Sequence, residues 1–214
     1  RQTADPYKIW ISEIMLQQTT VNTVIPYYKR WTRRFPTVQS LARAQLSAVL
    51  KLWQGLGYYS RARNVHATAK ILVQDFNSKI PENKDDLARL PGFGPYTVGA
   101  VLSIAFDKRE PIVDANVRRV IMRILSLKGF ADPGHDKEII QFLNTVMPKR
   151  NISAFNQGLM ELGALICRSG QALCLQCPLR VYCKAYAKGI QETIPSVKQK
   201  HLKRKDVAVA IIKN

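Results

Sequence analysis

Apolar residues recur at helical spacing along almost the whole chain. The pattern opens at Asp5-Pro6, an N-cap followed by proline at the first helical position, and predicts a helix to about Gln17. Further helices are expected over roughly 20–34, 45–54, 59–76, 83–89, 95–106, 115–127, 136–147, 152–166 and 178–188. Gly55 and Gly57, Pro91, Gly92 and Gly94, and Pro133 and Gly134 interrupt these runs as turns or helix ends. The expected class is all-α. After Gly189 the periodicity stops, and Lys198, Lys200, His201, Lys203, Arg204 and Lys205 form a basic connector. The closing Val207-Ala-Val-Ala-Ile-Ile212 reads as a strand, either the start of a second domain or a tail docked on the helical body. The expected organisation is a helical region over 1–188, a basic linker over 189–206 and a terminal strand segment over 207–214.

Composition narrows the class. The 214 residues are 46% hydrophobic, enough for one globular domain or two small ones. No stretch approaches the roughly 18 uninterrupted apolar residues of a membrane span, so no membrane association through a helix is expected. Thirty-three Lys and Arg against 15 Asp and Glu leave a formal charge of +18. Such an excess points to a polyanionic partner, nucleic acid first, although a membrane surface or a ribosome would satisfy the same charge.

Four segments could carry chemistry. Cys167, Cys174, Cys177 and Cys183 are all the cysteines of the chain, spaced Cys-x6-Cys-x2-Cys-x5-Cys. Disulfides suit small secreted domains and rank last here, while four soft thiolates suit zinc or an iron-sulfur cluster, which spacing alone does not separate. Leu90-Pro-Gly92-Phe-Gly94-Pro-Tyr96 places two glycines between two helices, a hairpin whose backbone N–H groups could face a phosphate, or an ordinary turn. Glu13 stands among Ile9, Trp10, Leu16 and Gln17 on its helix. A carboxyl in that company is either partly desolvated, the setting in which an acid keeps its proton, or a single exposed Glu. Asp114 precedes the 115–127 helix, where an N-cap is its plainest role. His66, His135 and His201 have no nucleophile or ligand pattern around them and are expected at the surface.

Taken in order, Ser12-Glu-Ile-Met-Leu-Gln-Gln-Thr19, Gly55-Leu-Gly-Tyr-Tyr-Ser-Arg-Ala-Arg-Asn64, Leu90-Pro-Gly-Phe-Gly-Pro-Tyr-Thr97, Val113-Asp-Ala-Asn-Val117 and Phe155-Asn-Gln-Gly with the cysteine run resemble the helix-hairpin-helix DNA glycosylase superfamily. Within it they are most similar to adenine glycosylases of the MutY type. The resemblance implies an all-α fold of two helical subdomains with a four-iron, four-sulfur cluster held by Cys167, Cys174, Cys177 and Cys183. It implies that Glu13 protonates adenine, that Asp114 stabilises the sugar cation, and that Tyr96 and Asn116 support them. Gln18, Thr19 and Tyr58 would enter the duplex, with Leu56 and Gly57 in the same loop, Gly92 and Gly94 gripping the backbone, Arg1 facing DNA and Gln157 touching adenine. The implied partner is double-stranded DNA with adenine opposite 8-oxoguanine or guanine, bound by a monomer inside the cell. An endonuclease III type enzyme would place a lysine where this chain has Tyr96, and a thymine-mismatch glycosylase can share the tyrosine. A non-catalytic DNA-binding module would need neither Glu13 nor Asp114.

Overall fold

The structure, a computed structural model, describes residues 3–196, and within them the fold is helical. In chain order the helices are α1 (Pro6–Leu16), α2 (Val21–Arg34), α3 (Val38–Ala42), α4 (Leu46–Trp53), α5 (Tyr59–Asp75), α6 (Lys84–Ala88), α7 (Pro95–Phe106), α8 (Ala115–Leu125), α9 (Asp136–Val146), α10 (Ile152–Leu165) and α11 (Lys184–Ala187). The isolated β-bridge Phe130–Ser196 pairs two loops without forming a strand. Among the described residues no helix is long and apolar enough to cross a membrane. Arg1, the basic run from Lys198 and the expected strand from Val207 lie outside the described residues.

The start of α1 follows from its first two residues. Asp5 Oδ1 accepts from the backbone N–H of Tyr7 at 2.9 Å and of Lys8 at 3.3 Å, while Pro6 supplies a position that needs no donor. Two elements differ from the sequence expectation. The five-residue α3 is too short to show periodicity; Thr37 and Ser40 close a reciprocal capping box that starts it. The helix expected over 178–188 is a 3₁₀ turn at Arg180–Tyr182 followed by α11, because Cys183 is extended (φ −86°, ψ 103°) and divides them.

Burial divides into two main clusters. The first gathers Trp10, Trp31, Phe35, Leu41, Trp53, Leu72 and Leu87 from α1 to α7. Trp31 makes edge contacts with Phe35 at 5.2 Å and Trp53 at 5.5 Å, and Tyr7 donates its hydroxyl to the Phe35 carbonyl at 2.8 Å. The second cluster joins α8, α9, α10 and α11 through Val117, Ile121, Met122, Ile139, Leu143 and Leu159. A small third group, Ile9, Ala100, Ile104 and Ile112, lies against Tyr96 and Met160.

Candidate active site

Glu13 is placed by the helix period of α1. Its neighbours Ile9, Trp10, Ile14 and Met15 are all buried, and Glu13 itself is 1% exposed. The exposed-Glu alternative is thereby removed. From the first turn of α7, Tyr96 donates its hydroxyl to Glu13 Oε2 at 2.8 Å, across 83 residues of sequence. One turn further on, at the C-cap of α1, Gln17 donates from Nε2 to Thr97 Oγ1 at 3.2 Å. These two bonds fix the end of α1 against the start of α7.

The hairpin before α7 is equally anchored. Phe93 is buried and stacks on Trp10 with centroids 5.7 Å apart, and Thr68 donates to the Pro91 carbonyl at 2.8 Å. Gly92 has φ +81°, and a Cβ there would lie 2.9 Å from Asn64 Cβ, so glycine is required on both counts. Gly94 is exposed and nothing lies within 4 Å of where its Cβ would be, which leaves the backbone open to an outside partner.

Asp114 caps α8: Oδ1 accepts from the Val117 N–H at 2.7 Å. Its Oδ2 accepts from Asn116 Nδ2 at 3.1 Å, and Asn116 Oδ1 in turn accepts from Arg119 Nη2 at 2.9 Å. Arg119 is buried and also donates to the carbonyls of Gly163 at 2.7 Å and Cys167 at 2.8 Å. The N-cap and the oriented carboxylate are thus the same residue in two roles. The structure adds two residues whose roles the sequence did not disclose. Asn156, fully buried on α10, donates to the Glu110 carbonyl at 2.9 Å and accepts from the Ile112 N–H at 3.3 Å, clamping the connector that leads to Asp114. Gly163 lets α10 approach so closely that a Cβ would sit 2.6 Å from Asn116 Cβ.

Gln157 lies one residue beyond Asn156 and donates to Ser153 Oγ at 2.9 Å. It borders a cavity of about 720 Å³ with Thr3, Ile104, Phe106 and Asp107. Asp107 accepts from the N–H groups of Asn151 at 3.1 Å and Ser153 at 2.9 Å, capping α10 from another element. Two exposed residues stand on the loops after α1 and α4: Gln18 with φ 56° and Tyr58 with φ 47°. Thr19 is half-buried; Leu56 is 5% exposed, so its side chain belongs to the core, and its backbone N–H and carbonyl are bonded to Trp53 and Arg61.

Two expectations are corrected. The implied four-iron, four-sulfur cluster at Cys167, Cys174, Cys177 and Cys183 is not supported. Among the described residues no three His, Cys, Asp or Glu side chains form a group that could hold a metal ion. The four sulfurs share a neighbourhood without converging. Cys167 Sγ accepts from Arg123 Nη1 at 3.3 Å and Cys183 Sγ donates to the Arg123 carbonyl at 3.5 Å, so both are engaged by α8. Burial, with the other cysteines adding to it, pushes the Cys174 thiol up, and burial does the same to Cys177. The all-α fold stands, and among the described residues no cluster-binding group is formed. Secondly, His66 is not a surface residue: it is 4% exposed, with Nε2 2.9 Å from the Ala44 carbonyl. Its place among Ala62, Val65 and Ala69, on the buried stripe of α5, was the available signal. His135 is half-buried and His201 lies outside the described residues.

A family model described as HhH-GPD superfamily base excision DNA repair protein matches residues 11–148. The chain is 45% identical over 181 residues to the adenine DNA glycosylase of Buchnera aphidicola subsp. Schizaphis graminum, covering 84% of this chain and 52% of that protein. It is 44% identical over 187 residues to the adenine DNA glycosylase of Rattus norvegicus, covering 84% of this chain and 35% of that one. A solved thermostable thymine-DNA glycosylase superposes with a TM-score of 0.77 at 29% identity, over 87% of both chains. The chain therefore spans about half the length, or less, of these two sequence relatives.

Proposed function

Since the chain belongs to the HhH-GPD superfamily of base excision DNA repair proteins, we propose that it removes adenine from double-stranded DNA by hydrolysing the N-glycosidic bond of a flipped nucleotide. The observation that carries this reading is the buried Glu13 carboxyl bonded to Tyr96, with a second carboxylate, Asp114, fixed at the head of α8. Adenine is a poor leaving group until its ring is protonated, and its departure leaves an oxocarbenium-like sugar. Glu13 gives the proton, the bonding pair leaves with the base, and Asp114 faces the positive charge that remains on the sugar. Water then adds to the sugar carbon and loses a proton. Tyr96 orients the acid, Asn116 orients the carboxylate, and Gln157 borders the cavity proposed for the base.

On this reading the partner is adenine opposite 8-oxoguanine or guanine. Gln18, Thr19 and Tyr58 enter the stack, while the exposed Gly92 and Gly94 bring the hairpin backbone to a phosphate. The formal charge of +18 favours the polyanion at every encounter. The test is a duplex with one adenine opposite 8-oxoguanine, incubated with the protein and resolved after alkali. Abasic product is expected, with no borohydride-stable adduct, since the Tyr96 phenol cannot form a Schiff base. Adenine left intact opposite both 8-oxoguanine and guanine overturns the reading.

A further inference from the structure

The structure assigns a positioning role to Arg61, a residue of α5 that the proposed chemistry leaves unused; the inference rests on the adenine-excision reading. Arg61 is 8% exposed, and among the described residues it pairs with no carboxylate. Its guanidinium is spent instead on the end of α1 and on the loops after α1 and α4. Nη1 donates to the carbonyls of Ile14 at 2.8 Å, Met15 at 3.1 Å and Gln17 at 2.6 Å. Nη2 donates to the carbonyls of Leu56 at 3.2 Å and Gly57 at 3.3 Å. The last turn of α1 has no basic residue of its own, so Arg61 meets both the orphan carbonyls and the negative end of that helix. The rings of Trp53 and Tyr58 lie 5.4 and 5.5 Å from its central carbon.

Two of those carbonyls have a special place. Gln17 O belongs to the peptide that enters Gln18, and Gly57 O to the peptide that enters Tyr58. Gln18 and Tyr58 hold φ of 56° and 47°, left-handed values that a residue with a side chain keeps only when its surroundings impose them. By fixing both entering peptides, Arg61 holds both exposed side chains in their strained conformations and joins the loops after α1 and α4 into one wedge. Arg61 therefore governs extrusion of the nucleotide, acting through Gln18 and Tyr58, and takes no part in proton transfer. Lysine cannot replace it, because one ammonium does not span both loops as the two Nη groups of a planar guanidinium do.

The experiment compares wild type with Arg61→Lys and Arg61→Gln, their folding checked by circular dichroism and the rates taken from whichever variant folds. Single-turnover excision of adenine opposite 8-oxoguanine should fall about tenfold or more, while excision opposite an abasic-site analogue, with no pairing to break, should fall less than about threefold. Equal losses on both duplexes mean a merely structural role and overturn the inference. A second arm needs no chemistry. In a Glu13→Gln background, 2-aminopurine replaces the target adenine, and its emission rises as the base leaves the stack. Adding Arg61→Lys should cut that rise at saturating protein by about half or more, and an unchanged rise overturns the inference. Wild-type protein that excises no adenine sinks the functional reading, and the fluorescence arm still decides the role of Arg61.

Discussion

Replacing Gly163 with alanine adds one methyl group at the closest approach of α8 and α10. The new carbon would lie 2.6 Å from Asn116 Cβ and 3.0 Å from both the carbonyl carbon and oxygen of Asn116. Ordinary carbon contacts are about 3.5–4.0 Å, so the shortfall is roughly 1 Å, and none of the three obstructing atoms, two of the backbone and one Cβ, moves with a rotamer change. The helices must separate. Overpacking of this kind costs about 1–3 kcal/mol, which lowers Tm by about 2–12 °C in a chain of this size. The same displacement draws the Gly163 carbonyl away from Arg119 and shifts Asn116 relative to Asp114, so single-turnover excision should fall as well. Gly158, on the exposed side of the same helix, is the matched control, because nothing lies within 4 Å of where its Cβ would be. Gly158→Ala should raise stability by about 0.5–1 kcal/mol through helix propensity alone. Thermal melts of both variants in one buffer make the comparison, and a Gly163→Ala protein as stable as Gly158→Ala would refute the close-approach argument.

Tyr96→Phe removes the hydroxyl bonded to Glu13 and should slow excision by about tenfold, whereas Glu13→Gln, lacking a proton to give, should lose at least about 100-fold with DNA affinity retained; equal effects in the two variants would deny Glu13 its separate role. Asn156→Ala strands the Glu110 carbonyl and the Ile112 N–H in the interior and should cost about 2–5 kcal/mol in a denaturant titration, and a loss below about 1 kcal/mol would mean that the connector is held elsewhere. Burial holds the His66 pKa below its ordinary value of about 6.5, so below that pH the unfolded chain takes up the proton first. Stability should be full above about pH 6.5 and decline as pH falls toward the folded value, and His66→Gln should flatten that limb; the same acid loss in both proteins would count against it.

Local signals were legible wherever one stretch of chain decides the outcome. Asp5-Pro6 announces α1, Gly94-Pro95 opens α7 at the expected residue, and the apolar company of Glu13 offers burial as one of two readings, the one the structure selects. What could not be read was the pairing of distant residues. Nothing near Glu13 names Tyr96, and nothing near Arg61 tells that its donors reach carbonyls more than 40 residues earlier. Arg61 has the composition of a solvated residue and Asn156 that of an ordinary polar one; only the approach of other elements makes them clamps. The cysteine spacing misled for the same reason, since ligand count is a property of sequence while convergence belongs to the fold.

The two carboxyls of the site belong to different cores. Glu13 rides on α1, whose Trp10, Ile11 and Ile14 are buried in the first cluster, while Asp114 heads α8, whose Val117, Val120 and Ile121 are buried in the second. Between them the apolar joint is the small group of Ile9, Ala100, Ile104 and Ile112. Cooperative units of a protein open at free energies below that of global unfolding, and a thin joint between two larger cores is where such an opening begins. The register between acid and carboxylate is therefore a sub-global quantity with its own thermal limit. On heating, amide protons in both cores should stay protected while that register is lost, and excision activity should fall before the thermal melt.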